Sequence, residues 1–402
     1  MITFEESQAQ LAALELSARP ESVSLTDAAS RVLAEDVRLD RDQPGFDRST
    51  MDGYAVCLDG NRDRFDVVAT ILAGQTFEGT LAPGQAVRIM TGAPCPENVT
   101  VVPIELTDGG QDQVHITDAK ALSPGRNIAW RGEDGHAGDV ILRAGTRLGP
   151  ANLSAAAMAS AKDLAVAIAP RVAIVTTGDE VGQGDSAASI HDSNGPLLEA
   201  FLRSLHCAIR RSHARDEEGA LEKSLTQAKE SSDVVVTTGG VSAGSRDLVP
   251  DTINRLGFET VFHKVAIQPG KPVLLARHPR GTIFLGLPGN PVSVLATAHL
   301  FLLPVLRKLL GQSSSAWRRL PLAIDWQHPG KRHLFLPAAL DDAGIRPVRW
   351  NGSGDLLAAA TGDGLVELPA GGSWTAGELI SFLPFVGHTL GDRAVLPPRA
   401  ER

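Results

Sequence analysis

The stretch DVVVTTGGVSAGSRD, residues 233–247, sets the reading of the whole chain. A β-branched apolar run ends in a turn whose Gly239, Gly240 and Ser242 let backbone N–H groups approach an anion closely. Two more turns have the same texture. KVAI (264–267) runs into QPGKP (268–272), and TIFLGL (282–287) runs into LPGNPVS (287–293). Glycine and proline also punctuate ordinary loops, and one such turn alone would mean no more than that. Three behind successive strands, with Asp247 and Lys271 among them, point to a phosphate-bearing ligand at the carboxyl ends of a sheet.

Working outward, residues 164–312 alternate strand and helix, from RVAIVTTGDE (171–180) to the long apolar helix after Pro291. That alternation predicts a mostly parallel, doubly wound sheet with helices on both faces, over 166–312. Residues 44–139 break into short apolar runs separated by Gly, Pro and Asp, as in a small inserted β domain. Two helical patterns precede it, FEESQAQLAALEL (4–16) and TDAASRVLAEDV (26–37), the second with Thr26 as its cap. With about 140–165 they make a helical region, 1–43 plus 140–165. Beyond the Ser-rich GQSSSAW (311–317), strand-like runs predict a C-terminal β domain over 318–390. The fold class expected is therefore multidomain α/β plus β.

The chain has 402 residues, a net charge of -9 and 43% hydrophobic residues, ordinary for a globular protein of several domains. The negative balance argues against nucleic acid as a partner. Cys57, Cys95 and Cys207 are far apart and show no CxxC spacing, which fits a reducing compartment and small buried thiols. The N-terminus lacks a signal-peptide core, and Lys162 and Asp163 interrupt the Ala-rich stretch 151–169. No membrane segment is expected, and the location expected is cytoplasmic.

Other residues carry possible chemistry. Asp52 and Gly53 form a turn before YAV, and Thr91 offers a hydroxyl beside Gly92. Arg126, Arg131, Glu133 and Asp134 share a polar loop that reads equally as a solvated turn. Glu180 ends a buried strand, where it could hold Mg²⁺, orient a hydroxyl or cap the next segment. Asp192, Ser193 and Asn194 are all competent helix caps. Asp216 suits a helix N-terminus. A carboxylate beside a phosphate site makes sense with a cation between them, so Asp247 is the leading metal candidate. Lys264 or Lys271 could neutralise an oxyanion. Gly270, Pro288, Gly289 and Pro291 fix loops, and Ser293 opens the long helix. The NTPase P-loop, GxSxG, HExxH and kinase motifs do not occur.

Taken in order, PGFDRSTMDGYAV, RIMTGAPCP, GRNIAWRGEDGHAGDVILRAGTRL, VAIVTTGDEV, HDSN, TTGGVSAGSRD, KVAIQPGKP and LPGNPVSV resemble the molybdopterin molybdenumtransferase family, MoeA and the gephyrin E domain, over nearly the whole chain. The resemblance implies an elongated homodimer. Its substrates would be adenylylated molybdopterin and molybdate, with Mg²⁺-dependent release of AMP. Its partners would be a molybdopterin adenylyltransferase and apo-molybdoenzymes. By motif, Glu180, Asp216, Asp247, Lys264, Lys271, Pro288, Pro291 and Ser293 line the α/β side of the cleft. Asp52, Thr91 and Asp134 face them from the other subunit. Arg332 in KRHLF and Ser353 in GSGDL fall where the family receives molybdate. The chain departs from the pattern at Gln268, where many relatives have Lys, at His191, and at Leu334 and Pro337 near Arg332. The same α/β domain also occurs in stand-alone adenylyltransferases, but those carry GGTG where this chain has GGVS. A scaffold that no longer catalyses is a third reading, opposed by the intact acidic and lysine positions.

Overall fold

The computed structural model describes residues 1–60, 62–178, 181, 190–215, 217–241, 248–312 and 316–387. Val234–Thr238 is a strand buried along its length. It pairs in parallel with Arg171–Thr177 on one side and Ile283–Leu287 on the other. The full sheet has six strands, ordered Ala208–Ala214, Arg171–Thr177, Val234–Thr238, Ile283–Leu287, Leu274–Arg277 and Glu259–His263, with Leu274–Arg277 antiparallel to both its neighbours. Successive side chains on a strand point to opposite faces. Val172, Ile174, Val234 and Val236 accordingly pack with Leu198, Phe201 and Leu202 on one face. Ala173, Val175 and Val235 pack with Leu221, Leu225 and Ile253 on the other. Both faces are covered, as a buried parallel sheet requires.

The long helix Pro291–Leu309 has the length and apolar composition of a membrane span, contrary to the expectation that no such stretch exists. It is mostly buried as the core helix of the α/β domain. Pro304 has no N–H to give the Leu300 carbonyl, and the helix widens into a π turn over Ala298–Leu302. Gln8 Nε2 from the N-terminal helix donates to the freed Leu300 carbonyl at 3.2 Å.

His299 lies in the same turn, 2% exposed. Its Nδ1 lies 2.8 Å from the Leu295 carbonyl and its Nε2 accepts the Val386 N–H at 3.0 Å, which stitches the C-terminal end onto the core helix. Both bonds together need the neutral ring. Burial pushes its pKa from 6.5 down to about 4. The unfolded chain therefore binds the extra proton first, and stability falls as pH drops from 6.5 toward 4. At ~1.4 kcal/mol per pKa unit the loss is about 3 kcal/mol. Thermal melts across this range should show it, and His299→Gln should flatten the slope; equal slopes would refute it.

The N-terminal region differs from its expected form. Phe4–Ala12 is a helix with Thr3 and Glu6 in a reciprocal capping box. Residues 26–37, expected as a second helix, form turns and short bridges instead. Ser24 Oγ and Asp27 trade side-chain bonds that close a turn, and Ser30 takes φ 62, which no helix accommodates. Val32 and Leu33 then bridge to Arg147 and Val166. The region is thus built mainly from paired short strands plus the helix Pro150–Met158. Phe4, Leu11 and Leu14 are buried against Phe301 and Phe335 of the same chain. Burying each of them is worth about 1.5–3 kcal/mol.

The inserted domain is a five-strand sheet ordered Val99–Pro103, Gly53–Cys57, Gln85–Ile89, Arg64–Ile71 and Gln113–His115. The C-terminal sheet is built on His333–Asp341. Ile267–Gln268, from the second glycine turn, joins it by parallel pairing with His333 and Leu334. Burial raises the Cys95 and Cys207 thiols to about 12, which disfavours the reactive thiolate at both.

Candidate active site

The three glycine turns meet at one cavity of about 500 Å³. Gly239 and Gly240 leave the sheet at φ 88 and 65, conformations side chains rarely take, and the Gly239 N–H still pairs with the Leu287 carbonyl at 3.0 Å. The second turn is closed by Val265 N–H to Lys271 O at 3.0 Å and Val273 N–H to Gly270 O at 3.1 Å. The third turn is held by Asn194, whose Nδ2 donates to the Gly289 carbonyl at 2.7 Å. Lys271, Pro288, Gly289 and Ser293 line the cavity with Gly239, Gly240 and Gly270.

Arg332 and Ser353 close it from the C-terminal domain. Leu334 is turned into that domain's own core and Pro337 sits inside its central strand, so neither displaces Arg332. Arg332 Nη1 donates to the Ile267 carbonyl at 3.2 Å and Nη2 to Gln268 Oε1 at 3.4 Å. Ser353 accepts twice from the third turn: its hydroxyl from Asn290 Nδ2 at 2.8 Å, its carbonyl from Val292 N–H at 3.1 Å. One of the free N–H groups expected for the ligand is therefore spent on docking a domain. Ser293 is 4% exposed, and its hydroxyl has no partner among the described residues. Asn290 has no signal in the sequence beyond its place in the third turn, and only its bond to Ser353 marks it; Gln268, the position where many relatives have Lys, is bonded to Arg332.

Several expected residues lie elsewhere. Lys264 takes φ 69 and pairs through its backbone with Ile2 and Val273, and it does not line the cavity. Pro291 starts the helix as expected but is outside the lining. Ser242, Glu180, Asp216 and Asp247 lie outside the described residues. Asp52, Thr91 and Asp134 sit on the inserted domain, away from this chain's own cavity. Asp52 Oδ1 accepts from the Thr91 N–H at 2.6 Å and the Thr91 hydroxyl at 2.7 Å. Those two bonds, the backbone one first, hold its pKa below 3.8. Arg131 is tied to Asp42 at 2.8 Å, and Glu133 caps the Trp130 N–H, as in a self-closed surface turn. Asp192 accepts from Gly195 N–H and pairs with Arg211 at 2.6 Å, beside a second cavity that His191 also lines.

The described lining holds a lysine, an arginine, hydroxyls and amides, and no carboxylate. It suits anions. Among the described residues no group of three His, Cys, Asp or Glu is placed to hold a metal.

Comparison with known proteins agrees with this layout. Residues 2–160 match the model of the MoeA N-terminal region (domain I and II), 173–308 a probable molybdopterin binding domain, and 319–385 the MoeA C-terminal region (domain IV). The molybdopterin molybdenumtransferase of Haemophilus influenzae is 34% identical over 80% of each chain. Molybdopterin molybdenumtransferase 2 of Mycobacterium tuberculosis is 34% identical over 92% of this chain and 96% of its own. The crystal structure of the molybdopterin biosynthesis MoeA protein of Pyrococcus horikoshii superposes with a TM-score of 0.82 at 25% identity, covering 95% of this chain and 99% of that one.

Proposed function

We propose, from the premise that this chain belongs to the MoeA family of molybdopterin molybdenumtransferases, that it inserts molybdate into adenylylated molybdopterin with release of AMP. The observation that carries the proposal is the meeting of all three turns with Arg332 and Ser353 at one anion-suited cavity. Lys271 and the turn backbone face the phosphates, and Arg332, Ser353 and Gln268 form a seat for the tetrahedral oxyanion. Cleaving a phosphoanhydride needs placement and charge stabilisation more than covalent help from the protein.

Magnesium belongs to the same reading, with Glu180, Asp216 and Asp247 as its ligands. All three lie outside the described residues, and the lining above fits the anions of the reaction and not the cation. A second copy of the chain completes the cleft in this proposal, bringing Asp52, Thr91 and Asp134 to face the cavity. Exposed Phe46, Met51 and Trp130 around that loop supply apolar area for such a contact.

One experiment tests the reaction and the shared cleft together. The protein, given adenylylated molybdopterin, molybdate and Mg²⁺, should release AMP. Asp52→Asn and Asp247→Asn should each slow this by about a hundredfold or more. Mixed and allowed to exchange subunits, the two variants should regain activity, because half the clefts in a mixed dimer are intact. No recovery would refute the shared cleft. AMP transfer from ATP to free molybdopterin in its place would establish the adenylyltransferase reading.

A further inference from the structure

Two side-chain amides border the oxyanion seat, each on a different turn and each bonded to a group of the C-terminal domain. Their orientations are opposite. Gln268 turns its oxygen to the Arg332 guanidinium, and Asn290 turns its NH₂ to the Ser353 hydroxyl. We infer that Gln268 and Asn290 are positioning residues that set the donor polarity of the seat. They leave both Arg332 and Ser353 with protons aimed at the incoming oxyanion. This rests on the molybdate reading above and adds to it the residues that make the seat a receptor for anions.

At position 268, both acceptors that hold Arg332, the Ile267 carbonyl and Gln268 Oε1, are neutral. A neutral acceptor orients the guanidinium without cancelling its charge, whereas a carboxylate would pair with it. An amide also carries two donors, and Gln268 Nε2 has no partner among the described residues while the residue lines the cavity. Gln268 thus holds one donor in place and supplies another.

At position 290, a hydroxyl has one proton and two lone pairs. With one lone pair taken by Asn290 Nδ2 at 2.8 Å, the Ser353 proton is left for a ligand. The Ser353 backbone is fixed at the cavity wall, because its carbonyl is held by Val292 N–H, and the Asn290 bond orients its hydroxyl there. Asn290 precedes the helix starting at Pro291, where an Asn side chain usually accepts from the first turn. It makes no such bond, and its amide is spent on a residue 63 positions away in the C-terminal domain.

Near-isosteric substitutions reverse each polarity. In Asn290→Asp the carboxylate draws the Ser353 proton to itself and presents lone pairs to the anion. In Gln268→Glu it pairs with Arg332 and removes the Nε2 donor. Equilibrium dialysis of the full chain against molybdate alone should show each variant binding about tenfold or more weakly, the size of one charge-assisted hydrogen bond. The melting temperature of Asn290→Asp should hold, since the Asn290 side chain makes no helix-capping bond for the substitution to remove. In turnover, KM for molybdate should rise while kcat at saturating molybdate changes little. In a Ser353→Ala background, Asn290→Asp should weaken binding much less than it does alone.

Variants that bind molybdate as tightly as wild type, while wild type binds it well, would overturn the polarity inference and leave the proposed function standing. An equal loss from Asn290→Asp with and without Ser353 would also overturn it, since its effect would then be charge alone. A wild-type protein that takes up no molybdate would overturn the seat itself.

Discussion

Lys271→Met is expected to slow AMP release by about 10²–10³-fold, the size found for removing one preorganised group that meets developing charge. The methionine keeps the aliphatic stem and loses the ammonium. Lys271 is an exposed residue of the cavity wall, and its carbonyl is pinned by the Val265 N–H at 3.0 Å. The backbone therefore stays where it is in the variant, and only the charge is withdrawn. Exposed substitutions of this kind usually stay within about ±0.5 kcal/mol of wild-type stability. Lys271→Arg should recover part of the rate, because it restores charge without the compact ammonium geometry. Single-turnover AMP release, read beside a thermal melt, checks all three proteins. Wild-type release by Lys271→Met would remove this lysine from the chemistry.

The parts of the molecule that were legible in the sequence are those governed by local rules. VVV before a Gly-Gly turn specifies a buried strand and its sharp exit, and Val234–Thr238 followed by left-handed Gly239 and Gly240 is what forms. The edge strand Ala208–Ala214 was not legible. Its AIRRSHA has four exposed residues in a row and no alternation, because an edge strand bears charge where a central one bears valine. The helix expected over 26–37 failed for a related reason. Ala28 and Leu33 are buried in a cluster with Leu148, Leu164 and Val166, and Val32 in one with Ala167 and Leu310, partners more than a hundred residues away, and those contacts overrode helical propensity. The site divides in the same way. The turns announced themselves by composition, but that Arg332 and Ser353 complete them depends on Ile267–Gln268 pairing with His333–Leu334 and on Asn290 reaching Ser353. Nothing in the spacing of 268 and 332 encodes that pairing. Gln268 reads in sequence as a missing lysine, and its bond to Arg332 gives it a role of its own.

Gly270→Ala should be the most damaging single-methyl change at this site, and the structure says how to undo part of it. The residue has φ 99, which costs an L side chain about 1–2 kcal/mol wherever it sits. A Cβ there would also lie 2.4 Å from Thr297 Cγ2, on the core helix behind the turn. Overpacking a well-filled core adds about 1–3 kcal/mol, so the total is about 2–5 kcal/mol. Thr297 is fully buried, and its hydroxyl donates to the Ser293 carbonyl at 2.6 Å, so it cannot rotate aside without losing that bond. Whatever moves must carry Lys271 or Ser293 with it, and AMP release should fall along with stability. Thr297→Ser deletes the clashing methyl and keeps the hydroxyl. In that background Gly270→Ala should cost only the backbone strain, returning about 1–3 kcal/mol and part of the activity. The other neighbours of the new methyl, Ile267 Cδ1 at 3.4 Å and the Ser293 carbonyl at 3.8 Å, are at ordinary contact and offer no competing clash. Denaturant melts of the four proteins in this cycle read the coupling directly. Strictly additive losses would mean that the turn and the core helix do not press on each other, and that the rigidity of the second turn comes from its backbone alone.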